Sequence, residues 1–418
     1  MAKIVLLSLP AYGHVNPQLP VVAELVRRGH SLTVFNEASF GPLIRRTGAD
    51  FVAYPPVLSV ADLARVLHDG DLMRWLALIL GSSGPLLRGI LPELRRNRPD
   101  LLLFDGVAVW GEMAATNLRL PSVSIATSFI FEVFRGLEGG GEFWRYMRSF
   151  WLLFPNLVAA WVRMNAAAGT RSLPWRMPLM PRQGTVVTLV LTSKAIHPKT
   201  PKLESPRFAF VGSSIERSTR SETFDFSRLD GRPLVYVSLG TLHFGNQGFF
   251  DRAMEALADL PVQVVLSAGR GNDLSRFAHA PANFIIAEAV PQLDILERSA
   301  LFLTHAGLNS MHEALWFGVP MVAVPQQFEQ LRNARSIEAA GAALVLDDQC
   351  YGRPVTTAAL RKAVDAVMAD PGYRDRARAL GQSLREAGGY EEAADRIETA
   401  LAGGPTTKPR LLSIKHAA

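Results

Sequence analysis

At 418 residues the chain is longer than one hydrophobic core usually organises, so two domains of roughly 200 residues each are expected. Hydrophobic residues make up 48% and charged residues 20%, which excludes an intrinsically disordered chain. The net charge of +6 raises nucleic acid or an anionic membrane as a partner, but the arginines come singly or in pairs such as Arg27-Arg28, Arg45-Arg46 and Arg95-Arg96, without a zinc-finger, helix-turn-helix or RNA-binding aromatic pattern, so nucleic acid is set aside.

From the N-terminus, Ile4 to Leu9 is a continuous apolar run that reads as a buried strand; it is too short and poorly flanked for a signal peptide. Gln18 to Arg28 has helical spacing and stops at Gly29, and Ser31 to Phe35 is a second strand. Asp69-Gly70-Asp71 has the form of a cation-binding pair but lies between helical segments, where solvated turn carboxylates are the default. Leu101 to Phe104, a helix over Trp110 to Leu118, and Ser122 to Ala126 continue the alternation. Phe150 to Val162, with Trp144, Trp151, Phe154 and Trp161 nearby, is too short to span a bilayer. It reads as core packing, with a pocket wall or a membrane-surface face as alternatives. Glu142, His197 and His312 have no convergent partners in the sequence.

Residues 195–232 break into prolines, serines and charges, with only Phe208 to Val211 ordered, and form the expected linker. Strands then resume at Leu234 to Val237, Val262 to Leu266, Phe284 to Ile286, Leu301 to Thr304 and Met321 to Val324, each followed by a helical stretch. Helices over Ala358 to Met368, Tyr373 to Glu386 and Glu391 to Leu401 precede a basic tail expected to be disordered. The expectation is an α/β protein of two doubly wound parallel-sheet, Rossmann-like domains facing a cleft: residues 1–205, residues 206–390, and 391–418 as a terminal helix and tail. Cys350 is the only cysteine, so no intrachain disulfide forms, and a reducing, cytoplasmic compartment fits. No G-x-G-x-x-G and no G-x-x-x-x-G-K-[ST] is present, which removes support for nicotinamide and P-loop chemistry.

Two strand ends stand out. Thr304-His305-Ala306-Gly307-Leu308-Asn309-Ser310 leads from a buried strand through a small-residue turn into a helix that Asn309-Ser310 is expected to cap, a place that favours an anion. Ser238-Leu239-Gly240-Thr241 ends another strand in hydroxyls and glycine, suited to further phosphate contacts. By itself the first segment reads equally as a capped helix with a structural histidine.

Pro291-Gln292, Thr304-His305-Ala306-Gly307, Asn309-Ser310, Glu313, Gly318-Val319-Pro320, Pro325 and Gln330 to Asn333 together resemble the nucleotide-sugar signature of the UDP-glycosyltransferase family, in particular its bacterial macrolide and natural-product members. The resemblance implies the GT-B fold. It assigns the acceptor to the first domain, the nucleotide sugar to the second, His305, Ser310 and the Asn309 region to the diphosphate, Glu313 to ribose, Gln292 to the nucleoside, and Glu329-Gln330 to the sugar. Ala289 stands where many members carry tryptophan, and Glu329 where many carry aspartate. In Tyr12-Gly13-His14-Val15-Asn16-Pro17, otherwise a turn before a helix, the resemblance makes His14 the general base, with Asp105 at the end of the Leu101 strand to orient it. The implied activity is inverting, metal-independent transfer of a hexose, glucose first, from a UDP-sugar or a TDP-sugar to a hydroxyl of a small apolar acceptor, with no cofactor. A sugar-nucleotide epimerase or hydrolase, a non-catalytic binding protein and a membrane-surface lipid transferase are the alternatives on the same fold.

Overall fold

The computed structural model describes residues 1–68, 72–130, 140–169, 185–198, 201–217, 222–240, 247–269 and 272–403. Asp69, Asp71, Thr241 and the tail from residue 404 lie outside them, as do the side chains of Glu142 and Trp144.

Two parallel sheets carry the chain. The first is built from β1 (Lys3–Leu7), β2 (Ser31–Asn36), β3 (Asp50–Ala53), β4 (Leu101–Asp105), β5 (Ser122–Ala126), β6 (Thr185–Val190) and β7 (Phe208–Phe210), in the spatial order 3-2-1-4-5-6-7. The second takes β8 (Leu234–Ser238), β9 (Gln263–Ser267), β10 (Phe284–Ala287), β11 (Ser299–Thr304), β12 (Met321–Ala323) and β13 (Ala343–Val345), in the order 10-9-8-11-12-13. β4, β5 and β8 are buried along their whole length, because helices cover both faces of each sheet. That is why these strands read as unbroken apolar runs rather than alternating ones. Phe208 to Val211, expected as the ordered part of the linker, supplies β7, which pairs with β6 at the edge of the first sheet beyond residue 205. β3 and β13 are not read from the sequence: both are edge strands of only four and three residues, too short to stand out as apolar runs.

The helices are α1 (Tyr12–Arg27), α2 (Gly41–Arg45), α3 (Val60–His68), α4 (Leu72–Asn97), α5 (Val109–Leu118), α6 (Gly140–Ala168), α7 (Gln247–Leu257), α8 (Gln292–Arg298), α9 (Leu308–Trp316), α10 (Phe328–Ala339), α11 (Thr357–Ala369), α12 (Pro371–Glu386) and α13 (Gly389–Leu401). α1 begins at Tyr12, six residues before the expected start at Gln18, with Pro17 and Pro20 inside it. The prolines hid the helical pattern. Pro17 has no N–H for the Gly13 carbonyl, and the Asn309 side chain fills that role instead, its Nδ2 donating to Gly13 O at 2.8 Å. α13 returns to the first sheet: Ala393, Ala394, Ile397 and Ala400 pack into the same cluster as Ile4, Leu19 and Val22. Arg28 joins Glu24 on α1 to Asp395 and Glu398 on α13.

Among the described residues, one helix, Met73–Asn97, is long and apolar enough to cross a membrane by length and composition; its Leu86, Leu87, Ile90, Leu91 and Leu94 belong to the first sheet's core, and it packs along α6. α6 itself is core on one side only. Leu157, Ala160, Met164 and Ala168 are buried, whereas Trp151, Leu152, Val158 and Val162 are exposed, so the expectation of plain core packing for this stretch holds for half of the helix.

Candidate active site

In each sheet the strand order reverses next to the strand from which the chain sets out, between β1 and β4 in the first and between β8 and β11 in the second. Crevices at the carboxyl ends of such strands are where open parallel sheets bind ligands. His14, Asp105, Ser238 and His305 follow or end these four strands.

His14 lies in the first turn of α1, where the chain leaves β1, and Asp105 is the last residue of β4. Adjacent pairing of β1 and β4 brings together residues 91 positions apart: His14 Nδ1 is 2.9 Å from Asp105 Oδ2. The aspartate is 1% exposed and the histidine side chain 21%, so the carboxylate is enclosed while the imidazole still reaches the cleft. A carboxylate only accepts, so Nδ1 carries the proton and Nε2 keeps the lone pair a base requires. Burial pulls the His14 pKa down. Attraction to Asp105, the hydrogen bond between them and the Glu329 carboxylate outweigh it, and the imidazole titrates above its usual 6.5.

Three further groups hold this pair, none of them visible as site residues in the sequence. Gln18 Nε2 donates to Asp105 Oδ2 at 2.7 Å, and the Val107 amide donates to Asp105 Oδ1 at 3.0 Å. Thr127, just past β5, places Oγ1 2.7 Å from His14 Nδ1 and 3.5 Å from Asp105 Oδ2. Gln18 follows His14 by four positions on a helix and therefore shares its face, which is the signal that could have found it.

The facing wall comes from the second sheet. Ala306 adopts a left-handed conformation, φ 61°, and turns the chain from β11 into α9. α9 starts at Leu308 with Gly307 as its N-cap, so Asn309 and Ser310 are its second and third residues rather than its cap. Freed from capping, the Asn309 amide spans the cleft to Gly13. The His305 ring sits between two glycines: a Cβ on Gly240 would lie 2.6 Å from its Cε1, and one on Gly307 2.5 Å from its Nε2. Gly240 also has φ +78°.

Below the turn, Gln292 Nε2 donates to Ser310 Oγ at 3.2 Å and to Glu313 Oε2 at 2.5 Å, while Tyr236 OH donates to Gln292 Oε1 at 3.1 Å. Burial pushes the Tyr236 phenol well above its usual pKa, so it remains a neutral donor. Ser238 Oγ accepts from the Gly240 amide at 3.2 Å. Gln330 Oε1 accepts from the Gln326 amide at 2.8 Å and shapes the loop ahead of α10. Glu329 in the first turn of α10 is reached by solvent, yet crowding by the cleft walls raises its carboxyl pKa, with His14 and Arg332 pulling the other way.

A cavity between the two sheets is lined by Asn16 and Pro17 of α1, Ser213 and Ser214 after β7, and Asn309 and Glu313 of α9. The hydroxyls of Ser213 and Ser214 are buried without a protein partner. His312, left unassigned from sequence, is a strut: it is 3% exposed, burial holds its pKa down at about 3, and its Nε2 meets Thr192 Oγ1 at 2.9 Å across the two sheets. His197 is likewise structural, accepting from the Ile130 amide at 3.0 Å. Among the described residues, no group of three or more His, Cys, Asp or Glu side chains is placed to hold a metal ion.

The family described as "UDP-glucoronosyl and UDP-glucosyl transferase" matches residues 189–385. The NDP-glycosyltransferase YjiC of Bacillus subtilis (strain 168) is 30% identical over 404 residues, 94% of this chain and 96% of its own. The oleandomycin glycosyltransferase of Streptomyces antibioticus is 30% identical over 96% of this chain and 91% of its own. Among solved structures, the glycotransferase of kitacinnamycin superposes with a TM-score of 0.77 at 29% identity, over 96% of this chain and 99% of that one. The two-sheet architecture is thus that of the GT-B glycosyltransferases.

Proposed function

Because the chain belongs to the UDP-glucoronosyl and UDP-glucosyl transferase family, we propose that it is an inverting, metal-independent transferase that moves a hexose, glucose first, from a UDP-sugar to a hydroxyl of a small apolar natural product. The observation that carries this reading is the His14–Asp105 contact at 2.9 Å, placed across a cleft from the His305 turn that suits an anion. An acceptor alcohol is a poor nucleophile until it loses its proton, and histidine is suited to take it near neutral pH. In this reading the acceptor oxygen passes its proton to His14 Nε2 as it bonds to the anomeric carbon. The bond from that carbon to the diphosphate oxygen breaks on the opposite face, and the leaving charge develops at the start of α9 and beside His305. Asp105 keeps the tautomer and stabilises the imidazolium. Gln292, Tyr236 and Glu313 would hold the nucleoside and Ser310 the diphosphate, with Glu329 and Gln330 toward the sugar. The natural-product acceptor is supported by relatives named for oleandomycin and kitacinnamycin.

Single-step displacement turns an α-linked D-glucose donor into a β-glycoside. The test is a matrix of UDP-glucose, UDP-galactose and thymidine-linked sugars against hydroxylated apolar compounds, read by mass spectrometry, with the anomeric coupling of the product measured by NMR. An α-linked product rejects the inverting step. Release of free sugar at the same rate with and without acceptor favours a hydrolase instead.

A further inference from the structure

Asp105 has more donors than its task of orienting a histidine requires. Its Oδ1 accepts from the Val107 amide at 3.0 Å, and its Oδ2 receives His14 Nδ1 at 2.9 Å and Gln18 Nε2 at 2.7 Å, with the Thr127 hydroxyl farther off at 3.5 Å. The Gln18 side chain is 1% exposed, and its other polar atom, Oε1, is buried with no partner. An orphaned buried acceptor destabilises a fold, and an apolar side chain of the same length would carry no such burden. Natural chains keep local violations of this kind chiefly where a functional site needs them.

We propose that Gln18 is a positioning residue for the base: its amide shares the carboxylate oxygen that holds His14, fixes the rotation of the Asp105 carboxylate, and tempers that oxygen's grip on the imidazolium. Position and chemistry agree on this. Gln18 lies one helical turn after His14, so both side chains leave the same face of α1 and converge on one atom. A second donor on Oδ2 withdraws negative charge from it, so the His14 proton is held less tightly and the free base is available at lower pH. Charged or titratable groups facing His14 and its carboxylate partner from other elements are Asp105 itself on β4, Tyr54 after β3, and Glu329 on α10 with Arg332 behind it. Tyr54, pushed far up by burial, is a neutral phenol donating to Ser8 O at 3.0 Å. None of these supplies the second donor to Oδ2. The opposing push on His14 comes from Asp105 and Glu329, both of which raise it.

The inference rests on His14 being the base, and its test is chosen to fail separately. Gln18→Met keeps the length and removes both the donor and the orphaned acceptor. The His14 imidazole is titrated by NMR in wild type and variant, with the pH profile of kcat measured alongside. Losing a neutral hydrogen bond to the carboxylate should raise the His14 midpoint by about half a pH unit. The acid limb of kcat should move up with it, thermal stability should hold or improve, and UDP affinity should stay unchanged. A midpoint within about 0.2 units of wild type, far less than one such hydrogen bond carries, overturns the proposal even if kcat falls uniformly. A midpoint that shifts while the acid limb stays in place upholds Gln18's effect on His14 but rejects His14 as the base. Should Gln18→Met not fold, Gln18→Leu carries the same titration.

Discussion

At the scale of single residues, two contacts decide what the cleft can do. His14 is held above its usual pKa against the pull of burial, chiefly by Asp105. The acid limb of kcat/KM is therefore expected above pH 6.5, the free-histidine value, and Asp105→Asn should move it downward while lowering turnover. His14→Ala should lose about 10² to 10⁴ in rate on an unactivated alcohol yet bind UDP as before. Retention of more than about a tenth of the wild-type rate, outside that range, removes His14 from the role. The His305 ring depends on its neighbours having no side chain. Gly240→Ala meets the ring and also forces a left-handed backbone on alanine, so it should weaken UDP binding about as much as His305→Ala, roughly ten- to hundredfold by calorimetry. Wild-type affinity in a folded Gly240→Ala protein would detach the ring from the nucleotide. His14 and Asp105 were legible in the sequence as strand-end residues matching a family pattern. Gln18, Thr127, Ser213 and Ser214 were not, because their parts depend on what lies opposite them in space.

At the scale of elements, α1 links the most distant parts of the chain. Its first turn carries His14, and its proline-freed Gly13 carbonyl takes the Asn309 amide from α9. Glu24 in its last turn holds Arg28, just past the helix, against α13. Arg28 pairs with Glu24, Asp395 and Glu398, and His30 adds a contact to Glu398 at 2.9 Å. Isolated surface pairs contribute about 0.2 to 1 kcal/mol, so a partly enclosed network with three carboxylates should lose about 1 to 2 kcal/mol on Arg28→Ala. Hydrogen bonds from Arg27 and Arg28 hold the Glu24 pKa down at about 2 from its usual 4.5. Its stabilising part is thus present above pH 4.5 and disappears as pH falls through about 2. The stability gap between wild type and Arg28→Ala, measured by denaturant unfolding, should narrow over that window. A gap independent of pH would place the effect in lost packing of the arginine stem. The early start of α1 escaped the sequence because proline is a local signal against helix, and what compensates it comes from residue 309.

At the scale of the whole molecule, the two sheets set the His14–Asp105 pair against a helix start that favours an anion, bridged by Asn309 to Gly13 and by His312 to Thr192. In the proposed reaction the leaving diphosphate would be neutralised by amide groups and His305, so turnover is expected to survive saturating EDTA. Loss of activity restored specifically by Mn²⁺ or Mg²⁺ would return Asp69 and Asp71 to consideration.

What the sequence determined by itself was local: apolar runs long enough for buried strands, helical periodicity between them, small residues at strand ends, and a spaced set of polar residues matching a known family. Periodicity and turn chemistry act over a few residues, so they can be read without a partner. What only the tertiary structure decided was which strands are neighbours, that β7 and α13 belong with the first sheet, and that Gln18 meets Asp105 while Asn309 leaves the helix cap for Gly13. Those choices follow from burying surfaces and satisfying polar groups contributed by residues well separated along the chain, and no local pattern encodes them.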